Sequence, residues 1–150
     1  MRTRPRSVGA ALVVAVLLPL TGCGGNSIDD YCADLTAHRT EMADMIDSPS
    51  TSGLLSHLPM MRDLADKAPD DLVDEWQVFL DALGDLDKAI KDAGVKPSDF
   101  EDGKPPAGLD TAERKAITAA ANGIGAPEVV AAVSGIEQQG RDVCKVNLGL

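Results

Sequence analysis

The residues with chemistry to offer are three cysteines, two histidines, five methionines and a surplus of carboxylates. Thioether and imidazole together suit copper or haem iron. His38 stands near Met42 and Met45, and His57 near Met60 and Met61. Methionine at helical spacing is also ordinary core filler, and haem attachment would need a Cys-x-x-Cys-His that the chain lacks. Asp99, Glu101 and Asp102 before Gly103 loosely suggest a calcium loop. The EF-hand spacing and its terminal glutamate are missing, so a solvated acidic loop is the simpler reading. No Gly-x-Ser-x-Gly elbow, His-Glu-x-x-His or phosphate-cradling glycine loop occurs. Triads do assemble across sequence, but no nucleophile here stands in a recognisable setting. The aromatics are Tyr31, Trp76, Phe79 and Phe100, too few for a sugar-stacking cleft. The expectation is no catalytic residue, no metal and no cofactor.

The cysteines carry more information, and the first must be read with its surroundings. Arg2, Arg4 and Arg6 open the chain without an acidic residue among them, and an apolar run follows from Val8 to Leu20. At about thirteen residues that run is too short to span a bilayer of roughly 30 Å as a helix. A positive start, a short apolar stretch and then small residues is the layout of a secretory signal peptide. The run ends Leu20-Thr21-Gly22-Cys23, which resembles the lipobox of bacterial lipoproteins. The resemblance implies that the Cys23 thiol receives a diacylglyceryl group and that cleavage falls before Cys23. Residues 1–22 would then be the signal peptide and Cys23 the first residue of the mature chain. Two acyl chains, of the palmitate kind, suffice for stable anchoring, because each buried CH₂ contributes about 0.8 kcal/mol. An ordinary secreted protein and an uncleaved single-span anchor are the alternatives.

With Cys23 assigned to lipid by that resemblance, Cys32 and Cys144 remain as an even pair in an oxidising compartment. A disulfide between them is expected, the alternative being two buried free thiols. Removal of the signal leaves eleven basic residues against 24 acidic, a mature net charge of −13. Nucleic acid needs a basic footprint, and anionic lipid would likewise gain nothing from this surface. The plainest use of the acidity is solubility.

The elements that must position these groups are helical. Residues 23–27 form a lipidated tether, with Gly24 and Gly25 within it, and the helical domain occupies 28–150. Ser27 offers an N-cap followed by Asp29 and Asp30, where carboxylates favour the helix dipole. Ile28, Tyr31, Cys32, Leu35, Met42, Met45 and Ile46 recur at spacings of three, four or seven, predicting a helix to about Asp47. Ser48 to Gly53 breaks the pattern. A second segment carries Leu54, Leu58, Met61, Leu64 and Ala65, with Pro59 starting a new turn or kinking it.

Pro69 stands where a third helix would begin. Its stripe is the clearest in the chain: Leu72, Trp76, Phe79, Leu80, Leu83, Leu86 and Ile90, ended by Gly94. Asp74, Asp81, Asp85 and Asp92 lie mostly off that stripe and read as its wet face. Residues 95–109 read as a loop. Asp110 with Glu113 forms a capping box for an Ala-rich helix to about Asn122. Pro127 opens a last helix with Val130, Val133, Ile136, Val143 and Cys144 on one face. The fold expected is an all-α, antiparallel bundle of four to five helices in one domain. If the first and last helices pack antiparallel, Cys32 and Cys144 meet at one end.

The whole resembles small helical actinobacterial-type lipoproteins of unassigned function, through the lipobox, the Ala/Asp-rich helices and a cysteine near each end. That likeness implies a place on the outer face of the cell membrane but no activity. The expectation is a non-catalytic module that meets an envelope protein partner. The alternative is a carrier or sensor for a small apolar ligand held between helices. Replacing Cys23 with Ser should release the protein from membranes or leave it unprocessed. Normal processing with unchanged detergent partitioning would refute lipidation.

Overall fold

Caps and prolines cut the apolar pattern into more pieces than its periodicity suggests. The computed structural model describes residues 27–47, 51–100 and 104–148. Among these it contains seven α-helices: α1 Ile28–Ala37, α2 Arg39–Asp47, α3 Thr51–Ser56, α4 Leu58–Asp66, α5 Val73–Asp92, α6 Thr111–Ile124 and α7 Pro127–Asp142. A 3₁₀ turn, Pro97–Asp99, lies between α5 and α6. The all-α class is as the sequence predicts, with seven helices in place of four to five. Cys23, the preceding Leu20-Thr21-Gly22 and the expected signal peptide 1–22 lie outside the described residues.

Two expected helices are split, each for a local reason. At His38 the backbone leaves the helical region (φ −91°, ψ 3°), separating α1 from α2. The segment around Pro59 breaks at His57, with Pro59 near the start of α4. Proline supplies no N–H for the carbonyl four residues back, so the helix cannot run through it unbroken. Thr51 and Gly53, expected to break the chain, belong instead to the short α3. Pro69 begins a turn, closed by the Leu72 N–H on the Pro69 carbonyl at 2.9 Å, and α5 follows from Val73.

The other termini follow their sequence signals closely. Asp110 Oδ1 accepts the Glu113 N–H and Glu113 Oε2 accepts the Asp110 N–H, both at 2.8 Å. This satisfies two of the donors that a helix start leaves open. At the end of α5, Gly94 adopts φ +66°, and the Val95 and Gly94 N–H groups reach back to the carbonyls of Ile90 and Lys91. A side chain would strain that left-handed turn, which glycine adopts freely.

The central element is α5, about 30 Å long, which packs most extensively against α7 and α6. Its buried residues Trp76, Phe79, Leu83, Leu86 and Ile90 alternate spacings of three and four, which keeps them on one side. Leu80, expected with them, is half-buried at the edge of the same cluster. The first half of α5 joins Tyr31, Leu35, Met42, Met61, Leu64 and Ile136 in the larger core. Its second half forms a smaller core with Leu55, Phe100 and Ile117.

The last helix presents a different face from the one its valines suggest. Val129, Ala132, Ile136 and Gly140 are buried, whereas Val130 and Val143 are 54% and 47% exposed. Small residues win because the contact is close. A Cβ at Gly140 would lie 3.2 Å from Leu148 Cδ1 and 3.3 Å from Leu35 Cδ2. Leu148 comes there because the chain reverses at Lys145 (φ +59°), where the Val146 N–H bonds the Gly140 carbonyl at 2.9 Å. Val146 and Leu148 are thereby buried, a tail contribution that helical periodicity does not contain.

The larger core holds one polar contact of consequence. Trp76 Nε1–H donates to Tyr31 Oη at 3.0 Å, with Tyr31 0% and Trp76 1% exposed. Burial pushes the Tyr31 hydroxyl above the ordinary tyrosine range, partly offset by the Trp76 hydrogen bond, while Asp71 raises it further. Tyr31→Phe leaves a buried N–H without its acceptor and should cost about 1–3 kcal/mol at neutral pH. A folded-state pKa raised above the unfolded value near 10 gives stability that is complete below pH 10 and is lost as pH rises through the folded value. Tyr31 is the only tyrosine. Denaturant titrations of the two proteins should therefore converge above pH 10, and a constant gap would refute the assignment.

Candidate functional site

Sulfur chemistry settles into structure. Cys32 on the second turn of α1 and Cys144, two residues beyond the end of α7, are joined with sulfurs 2.01 Å and Cα atoms 4.9 Å apart. The start of the first helix thus meets the end of the last, as the sequence predicts. Cys144 sits in the turn after the helix and not on its apolar face. The bond closes a separation of 112 residues, for which chain entropy gives a stabilisation of about 4–5 kcal/mol.

The soft-ligand candidates are drawn elsewhere. His38 Nδ1 is 2.7 Å from Glu41 Oε2. Met42, Met45 and Met61 are 1%, 5% and 0% exposed within the core. Among the described residues no three of His, Cys, Asp and Glu come together as a metal site. Asp99 of the suggested calcium loop accepts the Lys96 N–H at 2.8 Å, and residues 101–103 lie outside the described residues.

Among the described residues an open groove of about 900 Å³ lies between α5 and α6. Its α5 wall runs through Val78, Asp81, Ala82, Asp85, Ala89 and Asp92, a line at helical spacing. Its α6 wall is built of Ala112, Ala116, Ala119, Ala120 and Gly123, and Glu128 and Val129 from the first turn of α7 close one end. The floor exists because α6 is held on α5 through one fully buried side chain, Ile117. A Cβ added at Gly123 would meet nothing within 4 Å. Alanine is the commonest lining residue, and the rim is acidic.

Comparison brings no relative. No family model, no curated protein and no solved structure matches the chain.

The charge around this groove is largely unpaired. Glu113 is committed to its capping box. Asp92 pairs with Lys88, the groove's cation, at 2.5 Å, and that hydrogen bond holds the Lys88 ammonium above the ordinary lysine range. Asp81, Asp85 and Glu128 face solvent without an ion pair. Sequence reasoning assigned Asp81, Asp85 and Asp92 to the wet face of α5, which they are. It missed that α6 lies beside them and turns that face into a wall. The exposed alanines of α6 gave no cue, because alanine is also the best helix former on a solvated face.

Along the described chain no single helix is long and apolar enough to cross a membrane. For the cysteines, thiol titration of the unreduced protein should find neither Cys32 nor Cys144 free. Replacing both with Ser should lower stability by about 2–5 kcal/mol, read from the denaturation midpoint.

Proposed function

We propose that this chain is the precursor of an extracytoplasmic lipoprotein, anchored through Cys23, whose helical domain is a non-catalytic interaction module. The anchor rests on the leader and Leu20-Thr21-Gly22-Cys23. The module rests on the α5–α6 groove, a mostly apolar surface that the fold leaves uncovered. A concave, mostly apolar surface between helices is a place where a partner segment can dock. Protein partners of the cell envelope are the ones such an anchored domain would meet.

A second reading has one observation in its favour. The groove volume falls in the range of ligand pockets, roughly 300–1,000 Å³. Such pockets enclose most of the ligand they hold, about 70–90% of its surface. This groove is open and its mouth is lined by carboxylates, so an apolar ligand would stay half in water against charge. The contact-surface reading accounts for both features.

The test is site-directed photo-crosslinking in intact cells. A small diazirine-bearing aliphatic residue at Ala116, in the groove, should yield a discrete protein adduct, and one at Thr36, exposed on α1, should not. Equal labelling from both positions, or none from Ala116, would refute the groove as the contact surface.

A further inference from the structure

We infer that the partner enters the α5–α6 groove as a cationic amphipathic helix. The inference rests on the contact-surface reading above and names the chemistry of its occupant. Three features of the groove select it.

The first is shape. The α6 wall offers Ala112, Ala116, Ala119 and Gly123, whose small side chains let another helix approach near the lower end of the usual 8–10 Å interaxial range. Lying between two helices, the trough extends for about the length of α6, ~21 Å, or some four helical turns.

The second is hydrogen bonding. The alanines of the α6 wall offer no donor or acceptor, since the helix satisfies its own backbone, and the carboxylates of the α5 wall only accept. An extended peptide laid there would find no donors on the alanine side for its C=O groups. A helix satisfies them internally and needs from the groove only apolar contact, the helix-in-groove mode.

The third is charge. Asp81, Asp85, Asp92, Glu113 and Glu128 surround the floor against Lys88 alone, a local charge of −4. Asp81, Asp85 and Asp92 follow one line along α5 at spacings of four and seven, so lysines or arginines at those spacings on a docked helix would face them. Opposed charges across an interface speed and orient association. The same carboxylates disfavour a second copy of this chain, which brings an identical acidic rim and net negative charge. They also disfavour an anionic lipid surface.

The experiment uses the protein in the form that cells process and a labelled 16-residue helical peptide, with leucine and alanine on one face and lysine on the other. Binding is read by fluorescence anisotropy. It should weaken at least tenfold with Asp81→Lys plus Asp85→Lys, and comparably with Ala116→Trp, which fills the trough. Asp63→Lys plus Asp70→Lys changes the net charge equally at exposed sites outside the groove and should alter binding less than twofold. Matching circular dichroism melts establish that each variant is folded.

Equal weakening by both lysine pairs would show attraction to net charge alone and overturn the inference. Equal binding of a glutamate-faced peptide would do the same. So would self-association of the protein without peptide, seen by sedimentation and abolished by Ala116→Trp. If the Ala116 crosslink in cells persists while the cationic peptide fails to bind, the groove remains the contact surface and the helical cationic partner is wrong. Loss of the crosslink itself removes the broader reading.

Discussion

The indole N–H of Trp76 and the phenolic oxygen of Tyr31 meet where three parts of the chain must agree. Tyr31 belongs to α1, Trp76 to the first turns of α5, and the neighbouring Cys32 is bonded to the end of α7. Both rings are wholly buried, so their polar atoms have water to lose and only each other to gain. A buried N–H without an acceptor is disfavoured by more than the bond itself contributes. A shifted register of α1 against α5 would therefore break the bond and expose the rings together. Apolar contacts alone tolerate such sliding far better, since methionines at positions 42, 45 and 61 adapt to many shapes. One hydrogen bond thus gives the larger core a single alignment.

From that alignment the rest follows by packing. The first half of α5 is enclosed by α1, α4 and α7, with the tail residues Val146 and Leu148 closing the remaining side. The second half has less to work with. Its cluster is smaller, and α6 contributes only Ile117 in full. Few buried apolar contacts mean low local stability, which is where binding surfaces are commonly found. The groove is the visible result of this imbalance along one helix.

What the sequence made legible was local. The α5 stripe, the Asp110–Glu113 capping box and the Gly94 terminus each depend on residues within one or two turns, and each is found as expected but for Leu80, which is half-buried. The buried face of α7 does not follow bulk, because close approach to Leu35 and Leu148 requires Gly140. The tail was missed because Val146 and Leu148 act after a reversal at Lys145, where no period operates. The Cys32–Cys144 bond was legible through the parity of the cysteines once Cys23 had been assigned. The groove was not, because its aspartates and its alanines lie far apart in sequence, and each set looks unremarkable until α6 lies beside α5.

The bond between Cys32 and Cys144 has a topological consequence. Every helix from α2 to α7 lies within the segment it closes, so the covalent structure of the domain is a ring with short ends. A single peptide-bond break inside that ring, for example between α5 and α6, opens the loop without releasing a fragment. The two pieces stay tethered beside each other, and their effective concentration remains that of one molecule. The domain can in this way be nicked by a protease and still be one molecule.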